Sequence, residues 1–600
     1  MSFGPVTHWR MLLGMFRPRE RLQIYLLLVS TAALGLVEVA GVASIMPFIA
    51  VVIDPSTIDS NPYLHALYER LGFADHRSLQ VFLGALALAL LVVTNLLAAC
   101  HAWFVFRFCY LRSNELCTRL MARYLALPYE TFLVRSTAEM QKIVVTDVDR
   151  VVIGTLMAGV HVFAHIVSAA FILLVLLFMD PWVTLTTFAV LAVGYGAIFL
   201  LIQRKVAALG EEWVRLETEI VQRTREALEG AREIKVLHKE PDFVRRFATP
   251  HLRSALNAIR HQTLDIIPRY LLETTAFGLI IGITLYYIAT ARASTETLAV
   301  IALYAYAAYR LVPSLKGIVD GIDTVRYNAA ALEVVAQDLS AKSEPATPAA
   351  RATPRPLQRA IQLNDVRFTY PGAQRPAVQG LTLRIEARIL TCIMGHTGAG
   401  KSTAIDLVLG LLRPQAGRIL LDDEALDAQN VLQWQSSIGY VAQSIYVIDD
   451  TVMRNIAFGV ADTDIDRERV RAAARAADID EFIVNDLEQG YDTVLGEKGV
   501  RLSGGQRQRI GIARAVYRDP AVLILDEATN ALDLETERRV LSRLGALEPK
   551  RTIVCVSHKE SVARYAERII VIAHGQVSAE GTYEELTRSE TRLRSLIVGA

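Results

Sequence analysis

The tightest constraint in the sequence is a pair of apolar runs, about 155–179 and 181–203, separated only by "MDPW". Each is long enough to cross a bilayer as a helix, which takes about 20 residues at about 1.5 Å of rise. So short a turn makes them consecutive spans. Further runs at about 22–53, 78–106, 268–290 and 296–320 bring the expected number of spans to six. With 600 residues the chain exceeds a single core, and 52% hydrophobic content beside 21% charged residues implies a membrane part joined to a soluble part.

Orientation follows from the basic residues. The segment after the second run carries Arg107, Arg112, Arg119, Arg123, Arg135, Lys142 and Arg150. The segment after the fourth carries Arg204, Lys205, Arg232, Lys235, Lys239, Arg245 and Arg246, whereas the short segments on the other side hold only Arg292. The positive-inside bias then makes both termini and both long polar loops cytoplasmic. These loops are amphipathic. They read either as solvated faces or as helices running past the bilayer toward a cytoplasmic partner domain. The basic N-terminus leads into an apolar run without the short form of a signal peptide, so a retained first span is expected. On the outer side, "NPYLHALYERLGF" puts Tyr63, Leu64, Leu67, Tyr68 and Leu71 on one helical face, as in a helix lying in the interface, the alternative being a packed loop.

Other composition signals are bland. A formal net charge of +1 points to no nucleic-acid partner. Cys100, Cys109, Cys117, Cys392 and Cys555 have no metal or redox spacing and read as packing thiols in a reducing compartment. Two arginines are not bland. Arg269 and Arg310 lie in or beside the last two apolar runs, where a charge at the centre of a span costs about 2.5–3.5 kcal/mol and marks a function or a partner.

Residues 1–340 thus form the expected membrane domain, and the proline-rich stretch 341–358 a linker. From 359 to 600 short β-branched runs alternate with helical stretches, the pattern of an α/β nucleotide fold. In "LTCIMGHTGAGKST" a strand leads into Gly395, His396, Thr397, Gly398, Ala399, Gly400, Lys401, Ser402 and Thr403. The glycines let backbone N–H groups turn toward phosphates, Lys401 reaches the β and γ oxygens, and the Ser402 hydroxyl suits magnesium. "AVLILDEATNALD" reads as a buried strand ending in Asp526, which would hold the magnesium directly or through water, and Glu527, which would orient and polarise the attacking water. Between them "LSGGQRQRIGIARAV" places Leu502, Ser503, Gly504, Gly505 and Gln506 at a second helix start suited to an anion.

That stretch resembles the signature motif of the ATP-binding cassette (ABC) family, and the resemblance extends over essentially the whole chain. It implies a fold of a six-span α-helical membrane domain fused to an α/β P-loop ATPase. It implies ATP and Mg2+ as cofactors and ATP hydrolysis coupled to transport. Tyr370 matches the family's adenine-stacking aromatic, Gln443 the glutamine that meets metal and lytic water, Asp533 the loop signalling between cassettes, and His558 the histidine at the γ-phosphate. Ala442 stands where proline is common and Asn530 where serine is common. "TVLGEKGVRLSGGQ" is similar to exporter cassettes, in which Glu497 meets the long intracellular helices. In the family the signature closes on ATP held by another cassette. One intact cassette per chain therefore implies a half-transporter working as a homodimer, a heterodimer with a related subunit remaining open. The segments "LPYETFLVRSTAEMQKIVVTDVDRV" and "EIKVLHKEPDFVRRF" would be its cassette contacts.

The membrane half is similar to bacterial flippases of lipid-linked oligosaccharides in "LVEVAGVASIMPFI", "IIPRYLLETTAFG" and "AYRLVPSLKGIVDGID". It implies a multi-pass protein of the bacterial inner membrane, in contact with membrane lipids, moving an amphiphilic lipid-linked substrate between leaflets. Arg269 and Arg310 are the candidate substrate residues, since a guanidinium offers a fixed fork of donors to a pyrophosphate. The alternatives are pairing of Arg269 with Glu273 and snorkelling of Arg310. The family's further basic residue in the second span is absent, Thr94 and Asn95 standing in that region. Alternative functions are export of another amphiphile, such as lipid A, a peptide or a drug, and a regulatory ATPase without transport.

Overall fold

The computed structural model describes residues 5–43, 48, 51–52, 55, 57–73, 75–179, 181–289, 295–340, 353–496 and 499–589. Contacts divide the chain into two units, Met1–Leu127 with Arg135–Pro345, and Pro128–Val134 with Ala346–Ala600. Glu497, the first residues of the linker to 352, and the side chains of Arg269 and Arg310 lie outside what is described.

The first unit is helical. Helices Pro18–Ala43, His76–Leu125, Met157–Met179, Pro181–Glu229, Glu240–Ala289 and Thr295–Tyr327 lie on the six apolar runs. Among the described residues, three segments are long and apolar enough to cross a membrane: Pro18–Val37, His76–Leu125 and Thr137–Leu174. The 50-residue helices His76–Leu125 and Glu240–Ala289 are each about 75 Å long at about 1.5 Å per residue. Since a bilayer core is about 30 Å thick, each carries a long polar extension, and that extension is where the loop arginines fall.

The extensions are joined by buried charge. Segments Ile143–Asp147 and Arg150–Leu156 are wound as π-helix, whose i to i+5 closure brings residues five apart onto one face. Lys142 and Asp147 meet there at 2.9 Å, with side chains 2% and 0% exposed. Beyond them the Arg150 guanidinium lies 3.1 Å from the Trp213 ring centroid and 4.8 Å from that of Tyr327. His261 stacks on the other aromatic, Tyr327, at 3.8 Å. These cation–π and ring contacts tie together four helices. Gly210 permits the approach: a Cβ there would lie 2.2 Å from the Tyr327 carbonyl oxygen.

Between the first two apolar runs, helix Pro62–Leu71 is capped by Asn61, which accepts from the Tyr63 and Leu64 N–H groups, and ends on Gly72 at φ 66°. Leu64, Leu67 and Tyr68 pack on buried Val51, Ile58, Leu79 and Leu83. Tyr63 and Leu71 stay 88% and 51% exposed. The stretch is thus a helix rather than a loop, and Leu64, Leu67 and Tyr68 of its apolar face pack on the protein's own helices.

The second unit holds two sheets. Strands β1 (Ala360–Phe368), β2 (Val378–Glu386), β3 (Leu390–Met394), β4 (Ala416–Leu421), β5 (Glu424–Ala425), β6 (Ile438–Val441), β7 (Val522–Asp526), β8 (Thr552–Val556), β9 (Arg568–Ala573) and β10 (Gln576–Gly581) appear in that order. An antiparallel sheet runs β2-β1-β4-β5, and a second runs β10-β9-β3-β8-β7-β6. In the latter, β9, β3, β8, β7 and β6 are mutually parallel and β10 is antiparallel. Every residue of β3, β7 and β8 is buried. A strand covered on both faces has no polar side to show, and so it reads as an unbroken apolar run. The end of the linker is fastened to the first sheet: the Gln358 and Arg359 N–H groups donate to the Asp422 carboxylate at 2.7 and 2.6 Å.

Loss of one member of a buried ion pair leaves the other uncompensated, at about 3–5 kcal/mol. Asp147→Ala is expected to lower the unfolding temperature of the detergent-solubilised protein by several degrees, and Lys142→Met with Asp147→Leu to recover most of it. An unshifted melting curve in the single variant would disprove the pairing.

Candidate functional site

Parallel pairing sets the site. Asp526 is in register with Val556 across β7 and β8, Ile393 with Val556 across β3 and β8, and Val441 with Leu525 across β6 and β7. The strands therefore end at one edge, and the residues just beyond them, Gly395, Gln443, Glu527 and His558, leave the sheet together. Ligands of open α/β sheets bind beyond such carboxyl ends, where connections diverge to the two faces.

The loop Gly395–Gly400 joins β3 to helix Lys401–Val408. Gly400 has φ 100°, and a Cβ on it would lie 2.6 Å from the Ala377 carbonyl oxygen. Only glycine adopts that conformation this close to another backbone. Lys401 is buried, and its Nζ donates to the Gly395 and His396 carbonyls at 2.8 and 3.0 Å, curling over its own loop. The Thr403 hydroxyl meets that of Tyr370 at 3.1 Å, and the Tyr370 ring stands edge-on to Phe368 at 5.1 Å.

The carboxylates lie at the end of β7. Burial pushes Asp526 up, the neighbouring Glu527 adds to the shift, and Lys401 opposes it. Burial pulls Lys401 down against the attraction of Glu527 and Asp526. Burial thus disfavours the charged form of each, and their attraction for one another opposes it. The oxygens of Ser402, Asp526 and Gln443 are hard donors suited to magnesium, which takes few protein ligands beside phosphates. The group therefore fits.

Glu527 is held in a left-handed backbone conformation, φ 49°, with its N–H on the Val556 carbonyl at 3.0 Å. Gln443 Nε2 donates to Oε2 at 2.7 Å, Asn530 Nδ2 to the same oxygen at 3.0 Å, and His558 Nε2 lies 3.2 Å from Oε1. Two segments distant in sequence and one neighbour in the same turn thus converge on one carboxylate.

The signature stretch starts helix Gly504–Tyr517 with a reciprocal cap: Gln506 N–H donates to Ser503 Oγ at 3.2 Å, and Ser503 N–H to Gln506 Oε1 at 2.7 Å. Leu502 is buried, and Gly505 lies close beneath Ala531, a Cβ there falling 3.0 Å from its carbonyl oxygen. Asp533 caps the next helix, Leu534–Gly545, accepting from Thr536 N–H at 2.9 Å and Oγ1 at 2.8 Å.

Four side chains near these residues escaped the sequence reading as site members. Besides Asn530, Gln508 donates to the Glu527 carbonyl at 3.4 Å and accepts from Ala531 N–H at 2.9 Å, linking the signature helix to the carboxylate loop. Tyr440 faces the charge of Asp526, which adds to the upward push of burial on its hydroxyl. Asp406, on the helix after the phosphate loop, is pushed to about 6 by burial and then by Asp526. The one available signal was a polar residue on an otherwise apolar helix face or strand.

Residues 378–530 match the ABC transporter family, and residues 24–309 the ABC transporter transmembrane region. The ATP-dependent lipid A-core flippase of Ralstonia nicotianae is 32% identical over 421 residues, 69% of this chain and 70% of that protein. That of Alkalilimnicola ehrlichii is 30% identical over 476 residues, 77% and 78% of the two chains. The structure of a bacterial Atm1-family ABC exporter with ATP bound shares the fold at a TM-score of 0.78 and 23% identity, over 97% of this chain and 98% of that one. The chain belongs to the ABC transporter family, as an exporter half-transporter whose helical membrane region is fused to an ATP-hydrolysing cassette.

Proposed function

We propose that two copies of this chain form an ATP-driven flippase in the bacterial inner membrane that moves a phosphorylated glycolipid of the lipid A type to the outer leaflet. The observation that carries the motor part is the convergence of Gln443 and His558 on Glu527 at the end of β7. Both termini and the cassette are cytoplasmic in this reading. The relatives' names favour lipid A-core over the lipid-linked oligosaccharide that the membrane segments suggested.

Magnesium, when bound, neutralises charge on the β and γ phosphates and aligns them. Gly395 to Thr403 cradle the triphosphate, with Lys401 exchanging its carbonyl partners for phosphate oxygens and Tyr370 leaving Thr403 to stack on adenine. Ser402 and Asp526 would hold the ion, and Gln443 would serve it and the attacking water. Glu527 accepts the proton of that water while His558 steadies the γ-phosphate. Leu502 to Gln506 close the site from the partner copy, and Asp533 lies in the loop between the cassettes. Arg269 and Arg310 serve as head-group ligands, the guanidinium fork matching phosphate oxygens. Residues 1–340, 341–358 and 359–600 serve as membrane domain, linker and motor. The short helices Tyr129–Val134 and Ala231–Leu237 transmit the movement.

Lipid A in proteoliposomes is expected to raise ATP turnover several-fold, and a polyprenyl-pyrophosphate glycan to leave it flat. Stimulation by the glycan alone would restore the oligosaccharide reading, and stimulation by neither would sink both. Glu527→Gln should lower turnover by about 100-fold or more while retaining bound ATP; turnover at the native rate would refute its role. Arg310→Ala should weaken lipid-stimulated turnover and spare the unstimulated rate. Intact stimulation would remove Arg310 from the substrate site.

A further inference from the structure

We infer that Asn530 is a positioning residue of the hydrolytic site, the one that keeps the Glu527 carboxylate aimed while nucleotide is bound. This rests on the proposed roles of Glu527, Gln443 and His558. Of the three side chains on that carboxylate, two carry a second assignment in the proposed function: Gln443, 2.7 Å from Oε2, toward the metal and the attacking water, and His558, 3.2 Å from Oε1, toward the γ-phosphate. The direction of Glu527 matters because a general base acts only within hydrogen-bond reach of the proton it takes.

Asn530 has no such second commitment. Its Nδ2 donates to Glu527 Oε2 at 3.0 Å, and this is its side chain's hydrogen bond among the described residues. The contact is delivered by the chain itself: Asn530 N–H closes a turn onto the Glu527 carbonyl at 3.2 Å, and Glu527 enters that turn at φ 49°. Donor and acceptor are thus parts of one turn. Gln443 and His558 by contrast arrive from the segments that follow β6 and β8. Asn530 also shares Oε2 with Gln443, so a glutamine turned to the metal would still leave this oxygen with a donor. An amide provides the donor that a carboxylate requires and carries no charge to compete with the metal.

The test compares Asn530→Asp, Asn530→Ala and Asn530→Ser in the full-length reconstituted transporter. The aspartate has the same shape but replaces the donor with a like charge. Its turnover is expected to fall at least about tenfold, and that of the alanine about three- to tenfold. Half-saturating ATP and binding of a fluorescent ATP analogue should stay at native values. Serine, which keeps a donor, should recover most of the alanine loss. Native turnover in Asn530→Asp overturns the inference, as does a turnover loss matched by lost nucleotide binding, or serine no better than alanine. Glu527→Gln is measured alongside. If it is inactive while Asn530→Asp is unaffected, this inference alone falls; if Glu527→Gln turns over normally, the underlying assignment of the base falls with it.

Discussion

Parallel pairing of β6, β7, β8 and β3 is the constraint on which the cassette depends. Because these strands run in one direction and end in register, the loops that follow them emerge at one edge of the sheet. Phosphate loop, carboxylates, glutamine and histidine are thereby gathered from residues 395 to 558 without any of them being near in sequence. A parallel sheet is stable only when covered on both faces, and the buried runs "LTCIM", "VLILD" and "TIVCV" meet that demand. The energy that builds the core also aligns the site.

The same economy shapes the carboxylate that the sheet presents. Glu527 stands at the exit of a fully buried strand, in a left-handed conformation that turns the chain sharply. The turn places Asn530 within reach of the side chain, and the ends of β6 and β8 bring Gln443 and His558. Burial disfavours the charged forms of Lys401 and Asp526, and their mutual attraction opposes it.

The membrane half solves a different problem. Its helices run far past the bilayer and must be held to one another by something other than lipid. Arg150 between Trp213 and Tyr327, with the Lys142–Asp147 pair a turn away, supplies that cohesion where the helices are polar outside. The amphipathic pattern of the loops allowed helices, but the π-helical winding that brings Lys142 to Asp147 has no mark in a pattern of 3.6-residue periods. Helix Pro62–Leu71 shows the same limit. Its apolar face was evident, and only the packing of Leu64, Leu67 and Tyr68 onto Leu79 and Leu83 revealed what covers it.

The sequence by itself determined the architecture and the chemical inventory, because spans, phosphate loop and buried strands are local patterns of apolar and glycine residues. Gly400, Lys401, Asp526 and Glu527 could be named because the chemistry demands those residue types at those offsets. Tertiary structure alone decided what touches them. That Asn530 bonds the Glu527 carboxylate, that Gln508 fastens the signature helix to the same loop, and that Tyr440 faces Asp526 depend on strand register and on a left-handed turn. These are set by the packing of the whole sheet, and no short stretch of sequence encodes them.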